Sequence, residues 1–180
     1  QADVLFAPDH APLVWAGLAG DDIHEGGLAG AIGPDDRAQL RLADPKAQIV
    51  DGDTIVINEN RIRLHGIDAP EQIQMCLVGN IEWECGVEAT EALERMIAQQ
   101  KVYCAGEERD RYKRLIAVCH VGALNLNREM VSEGWALVYR RYSNDYIFEE
   151  TDARNAKRGI WKGEFEAPWD WRKIRRSQSK

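Results

Sequence analysis

Residues 49–71 read IVDGDTIVINENRIRLHGIDAPE, and this stretch decides the fold. Strict alternation puts Ile49, Asp51, Asp53, Ile55 and Ile57 on one face of a first strand, with Val50, Gly52, Thr54 and Val56 on the other. Asn58, Glu59 and Asn60 form a polar turn that predicts a hairpin. On the return strand Ile62 and Leu64 face one side, and Arg61, Arg63 and His65 the other. Gly66 loosens the backbone, and Asp68-Ala69-Pro70-Glu71 leaves through an extended pre-proline residue. Two carboxylates from separate segments, Asp53 and Asp68, can then converge with Arg63 and Glu71. Such groups carry a desolvation cost when they gather. Spacing alone leaves the blander alternative open, a solvated hairpin face with ordinary ion pairs.

Outward from the hairpin, Gln72 to Cys85 reads as an irregular loop. From Gly86 to Gln100, Ala89, Leu93, Met96 and Ile97 recur at helical spacing, with Glu88, Glu91 and Glu94 facing outward. Lys101–Ala105 and Leu115–Val121 are short β runs joined by the charged loop Glu107–Arg114. Leu124–Glu133 is a second helix ended by Gly134, Ala136–Tyr139 a strand, and Tyr146–Arg158 a third helix closed by Gly159. About five strands and three helices in this order predict an α+β, mainly β, fold: a five-stranded OB-type Greek-key barrel with helices packed around it.

The chain has 180 residues, enough for one domain and an extension. No apolar run approaches the length of a membrane span. A net charge of −7 argues against a uniformly basic nucleic-acid binder, but the imbalance is local. Residues 1–60 carry 3 Lys/Arg against 11 Asp/Glu, or −8, and residues 61–180 carry 20 against 19, or +1. Cations cluster at 109–114, Arg140-Arg141 and 172–176, and such patches can attract a phosphodiester despite a negative total.

The predicted organisation is an extension over 1–45, a domain over 46–172 and a basic tail over 173–180. Gly-Leu-Ala-Gly occurs at 17–20 and again at 27–30, and six glycines fall between Gly17 and Gly33, which predicts a loosely docked segment. Leu5, Phe6, Leu13, Val14 and Trp15 could anchor it. Asp21-Asp22 with His24 and Glu25 lacks the ligand spacing of a calcium loop and reads as solvated.

The cysteines, at 76, 85, 104 and 119, form no C-x-x-C pair, which disfavours zinc. Cys76 with Cys85 would close a short loop, and Cys104 with Cys119 would bridge neighbouring strands. Two disulfides imply an oxidising compartment; free buried thiols are the alternative. The chain opens at Gln1 with no charged-then-apolar leader, which fits a matured secreted or periplasmic product or a trimmed chain.

Val50-Asp51-Gly52-Asp53-Thr54 followed by Ile62-Arg63-Leu64-His65-Gly66-Ile67-Asp68-Ala69-Pro70-Glu71 resembles the signature of the staphylococcal nuclease-like (thermonuclease) family. The resemblance continues through Asp110-Arg111-Tyr112-Lys113-Arg114-Leu115, Glu133-Gly134-Trp135-Ala136 and residues 153–161, and covers roughly Ala47 to Arg172. It implies the same barrel and a calcium-dependent nuclease that leaves 3′-phosphate products. Carried over residue by residue, Asp53, Asp68 and the main-chain carbonyl of Ala69 would bind calcium. Arg63 and Arg114 would grip phosphate oxygens, and Glu71 would be the base that positions or deprotonates water. Arg111 and Tyr112 match positions that contact a terminal phosphate, and Tyr142 one that packs beside a base.

The residue types suit that chemistry. Carboxylate oxygens are hard ligands for calcium, and forked guanidinium groups hold two phosphate oxygens at once. Each residue alone has a plainer reading: Asp53 as a turn cap, Arg63 paired with Glu71, Arg114 answering Glu107 or Asp110. His65 and His120 lack a partner that would make either a base. One departure stands out, because the family often has glycine where this chain has Lys113. A lysine that resists the glycine angle would reshape the loop and set Arg114 back.

The expected partners are DNA and RNA as substrates, with no membrane and a monomeric chain. A noncatalytic nucleic-acid- or protein-binding module on the same barrel is the rival expectation, and the five matching residues argue against it. The basic run from Arg172 to Lys180 reads as a nonspecific phosphate attractor. The acidic extension could cover a basic cleft as a nucleic-acid mimic.

Overall fold

A computed structural model describes residues 40–44, as backbone, and residues 47–179. The expectations for residues 1–39, including the apolar anchors, the acidic cluster and the mimic role, lie outside the described residues.

The 49–71 stretch folds as four strands, β2 (Gln48–Asp51), β3 (Thr54–Ile57), β4 (Asn60–Leu64) and the short β5 (Ile67–Asp68), where alternation predicted two. The chain reverses at Gly52-Asp53, so that Ile49 pairs with Ile55 and Asp51 with Thr54. The physical reason is local. The Asp51 carboxylate accepts the Asp53 N–H at 3.0 Å, an Asx-type turn that competes with strand continuation. The predicted turn at Asn58-Glu59 is present, with φ of 47° and 64°, values that match the right-handed twist of a hairpin.

The strands β8 (Val102–Arg109) and β9 (Leu115–Val121) complete the sheet with β1 (Leu40–Asp44) and the short β10 (Leu124–Asn125). Its order is β1-β8-β9-β4-β3-β2, with β10 on β9. β4 runs parallel to β9, with Ile62 opposite Leu115, and the other pairs in this sheet are antiparallel. This mixed, mainly strand architecture curls into a half-barrel, as expected of an OB-like fold. β1 lies in the stretch read as extension; its Leu40-Arg41-Leu42 alternation is the strand signal. A second pair, β5 (Ile67–Asp68) with β11 (Leu137–Val138), continues from β4 through Gly66. The loop expected over 72–85 contains a small hairpin, β6 (Cys76–Val78) and β7 (Ile81–Trp83).

Three expected helices are present: α1 (Cys85–Ile97), α2 (Leu126–Ser132) and α3 (Ile147–Asn155). A fourth, α4 (Pro168–Gln178), takes in most of the basic tail, for which no element was predicted. Proline near its start, Asp170 in the first turn and Arg175 and Arg176 in the last suit a helix and its dipole. The main core joins Ile55, Ile57, Ile62, Leu64 and Leu115 of the sheet to Leu93 of α1 and to Leu126 and Met130 of α2. Each such fully buried side chain contributes about 1.5–3 kcal/mol. A second cluster gathers Cys76, Cys85, Leu137 and Ile160 under Trp83, Trp135, Trp161 and Trp169. Trp169 also stacks on Tyr139, with centroids 5.3 Å apart, and so seats α4. Both disulfides are formed, Cys76 to Cys85 and Cys104 to Cys119, the latter between directly opposed residues of β8 and β9. No helix among the described residues is long and apolar enough to cross a membrane.

Candidate active site

The β2–β3 turn, β4 and β5 bring the charged residues together. Thr54 pairs with Arg63 across the β3–β4 ladder, which places the Arg63 guanidinium beside Asp53. Arg63 Nη1 donates to Asp53 Oδ1, and its Nη2 donates to Asp68 Oδ1, so one guanidinium bridges both carboxylates. Asp53 Oδ1 also accepts from the Thr54 hydroxyl at 3.0 Å, and Oδ2 from the Ala69 N–H at 2.8 Å. Asp53 and Asp68 are fully buried, 1 % and 0 % exposed. Carboxylates so buried require such charge-assisted partners.

Gly52 makes the convergence possible: a β-carbon there would lie 2.7 Å from the Ala69 Cβ and 3.2 Å from that of Ala89 in α1. Asp51 completes the acidic side. Burial pushes its carboxyl above the usual carboxylate range, a rise that Arg63, Thr54 and Arg114 oppose without cancelling.

Glu71 leaves the Asp68-Ala69-Pro70 turn half-exposed, and its Oε1 accepts from Arg172 Nη1 at 2.7 Å. Arg172 also donates to both Asp68 oxygens, at 3.1 Å from Nη1 and 2.6 Å from Nη2. Burial alone would lower the Arg172 pKa, but Asp68 and Glu71 outweigh it and raise it, so this group stays a cation. Beneath Glu71, the fully buried Gln74 accepts the Glu71 N–H through Oε1 at 3.4 Å and donates from Nε2 to the Glu166 carbonyl at 2.7 Å. Gly86 admits the Glu71 loop against α1, where a β-carbon would lie 1.8 Å from the Glu71 carbonyl oxygen.

Arg114 approaches from the β8–β9 loop. Its Nε and Nη2 donate to Asp110 Oδ2 at 2.8 and 2.7 Å, and its Nη1 reaches the Thr54 hydroxyl at 3.4 Å. Asp110 also accepts the N–H groups of Tyr112 and Arg114. Burial would raise the Asp110 pKa, but the Arg114 and Tyr112 hydrogen bonds prevail and hold it below the ordinary value. Lys113 takes φ of 65°, the left-handed angle open to glycine, and Arg114 keeps its reach to Thr54. With lysine at this position the loop still adopts the angle that glycine would take. The four contacts to the Asp110 carboxylate hold the turn against a backbone cost of roughly 1–2 kcal/mol.

Arg111 and Tyr112 lie on the same loop, with the Arg111 Cζ 4.8 Å from the Tyr112 ring centroid and that ring exposed. Tyr142, a few residues after β11, is exposed and packs edge-on against Tyr139, 4.9 Å between centroids. His65 contributes main chain here: its N–H donates to the Ala117 carbonyl, and its carbonyl accepts from the buried Asn127. Arg172 and Gln74 had no place in the sequence-derived set; the only signal for Arg172 was Pro168 ahead of Trp169-Asp170-Trp171, a helix start.

Residues 61–163 match the family model described as staphylococcal nuclease homologue. The chain belongs to that family. The matched span holds Arg63, Asp68, Glu71 and Arg114, while Asp53 and Arg172 lie outside it. Among relatives in the family, an uncharacterized endonuclease of Escherichia coli O157:H7 is 33% identical over 133 residues, covering 69% of this chain and 81% of that protein. A micrococcal nuclease of Shigella flexneri is 33% identical over 144 residues, 70% of this chain and 78% of its own length. The probable staphylococcal-like nuclease CAN4 of rice is 31% identical over 144 residues, 78% of this chain, and this chain spans 27% of that longer protein.

A divalent ion is compatible with the donor set. Every candidate ligand is a hard oxygen, and a carboxylate offers about four lone-pair sites. Asp53 and Asp68 each use three, and on both the remaining one belongs to Oδ2. Among the described residues no group of three or more His, Cys, Asp or Glu converges as metal ligands. An ion at these two carboxylates would need further oxygen ligands from main chain or water.

Proposed function

We propose that this chain is a calcium-dependent nuclease that hydrolyses DNA and RNA with little sequence preference and leaves 3′-phosphate ends. The observation that carries this reading is the Arg63 guanidinium bridging the buried Asp53 and Asp68, with Glu71 and Arg114 alongside. Membership of the family and the names of its relatives support nucleic acid as the substrate.

In this reading Asp53, Asp68 and the Ala69 carbonyl would hold calcium, which would neutralise charge on the phosphate oxygens. Glu71 takes a proton from water as the water oxygen bonds to phosphorus. The bond from phosphorus to the 5′-oxygen breaks, and that oxygen takes a proton from solvent to leave as a hydroxyl, while Glu71 returns its proton to solvent. Arg63 and Arg114 grip the remaining phosphate oxygens more tightly as charge accumulates there. Arg111, Tyr112 and Tyr142 hold neighbouring phosphate and base without reading sequence. The two disulfides support a secreted or periplasmic site of action, where the chain works as a monomer.

Digestion of a single-stranded oligonucleotide with calcium, with magnesium and with chelator tests this, the ends being read by mass spectrometry. Fragments carrying 3′-phosphate and 5′-hydroxyl, with calcium only, are expected. Binding without cleavage under every condition would favour the noncatalytic module, and 5′-phosphate ends would refute the proposed direction of attack.

A further inference from the structure

Helix α4 carries Arg172, Lys173, Arg175 and Arg176, and these cations behave differently. Lys173 pairs with Asp170 on its own helix at 2.7 Å, and Arg175 lies over the Trp171 ring at 5.4 Å. Arg175 and Arg176 are exposed. Arg172 instead turns into the site, where its fork spans Asp68 and Glu71. Its position is fixed from two sides. Trp169, one turn earlier, stacks on Tyr139, and the Glu166 carbonyl ahead of the helix accepts from Gln74. The same Gln74 accepts the main-chain N–H of Glu71. Side chain and main chain of Glu71 are thus both tied to the α4 segment.

We propose that Arg172 is a positioning residue of this site, holding the Glu71 carboxylate at a fixed place against Asp68; the proposal rests on the nuclease reading above. A half-exposed glutamate left alone would sample several rotamers. A base must stand within hydrogen-bond reach of the water it activates, and a misplacement of about 1 Å can cost about 100-fold in rate. The planar fork of arginine suits the task because one guanidinium meets two carboxylates, a geometry that the point charge of lysine does not reproduce. This role differs from phosphate attraction by a basic tail, in which Arg172 and Arg175 would count equally.

The test compares Arg172→Ala, Arg172→Lys and Arg175→Ala with the unaltered full chain on denatured DNA at fixed ionic strength. Calorimetric calcium binding and thermal melting are measured on the same preparations. Arg172→Ala is expected to lower kcat about 10–100-fold with KM within about threefold. Its calcium binding should be at least as tight as in the unaltered chain, because a cation beside Asp68 has gone. Arg172→Lys keeps the charge and the fold and should recover only part of kcat, and Arg175→Ala should leave kcat unchanged. The proposal is overturned by kcat within about twofold in Arg172→Ala, by full activity in Arg172→Lys, or by calcium binding lost in step with kcat. Equal rises of KM in Arg172→Ala and Arg175→Ala with kcat intact would also overturn it. No turnover in the unaltered chain would defeat the nuclease reading and this proposal together, whereas turnover indifferent to Arg172 defeats the proposal alone.

Discussion

Gly52 and Ala69 approach so closely that a β-carbon on Gly52 would stand 2.7 Å from the Ala69 Cβ. That contact clamps the β2–β3 turn onto the Asp68-Ala69 segment and lets the Ala69 N–H reach Asp53 at 2.8 Å. Gly52→Ala must push the turn and Ala69 apart. Overpacking of this kind costs about 1–3 kcal/mol, to be read from urea denaturation. Nuclease activity should fall with it, because Asp53 moves relative to Asp68. A variant with unchanged stability and rate would show that the clamp is dispensable.

Lys113 pays for a left-handed backbone that glycine adopts freely. Lys113→Gly should therefore leave activity intact and shift stability by less than about 1 kcal/mol, since relief of strain and extra unfolded-state freedom oppose each other. A large gain in turnover on this substitution would mean that lysine does distort the Arg114 loop.

Asp110 holds that loop through Arg114, and its sign with pH follows from its depressed pKa. A carboxyl whose folded value lies below the ordinary 3.8 contributes above the ordinary value and loses its contribution as pH falls through the depressed one. The Arg114 Nε–H resonance should stay protected at pH 4 and be released only at more acid pH. Asp110→Asn should release it at every pH and lower the cleavage rate by roughly tenfold. Protection already lost above the ordinary carboxylate range would contradict this.

Cys104 and Cys119 close a loop with a sequence separation of 15 between two strands of the main sheet. Replacing both by alanine should cost about 3 kcal/mol from the unfolded state's regained freedom. The activity of the folded remainder should be retained, since neither sulfur touches the site. Denaturation with and without reductant checks the figure.

The sequence made part of this legible for identifiable reasons. The Asn58-Glu59 hairpin was readable because a polar pair between alternating apolar residues admits few other conformations. Arg63, Asp68 and Glu71 were readable because the hairpin and the pre-proline exit carry them to one end. The reversal at Gly52-Asp53 was hidden, because Asp51 and Asp53 keep up a strand-like alternation straight through the turn. Only the hydrogen bond from the Asp53 N–H to the Asp51 carboxylate betrays it. Helix α4 was hidden too. Its Trp169 finds a partner in Tyr139, thirty positions back in the chain, and its arginines read as a nonspecific phosphate attractor until Arg172 is seen on Asp68. The left-handed angle of Lys113 depends on Asp110 hydrogen bonds that no local propensity encodes.

In the proposed reading the carboxylate of Glu71 and the guanidinium of Arg114 act on a phosphodiester beside the Asp53–Arg63–Asp68 bridge. Initial rates of denatured-DNA cleavage in calcium, for the unaltered chain, Glu71→Gln and Arg114→Ala, test it most directly. A loss of about 100-fold or more in each variant, with melting temperatures preserved, is the predicted result. Full activity in either variant would contradict the assignment.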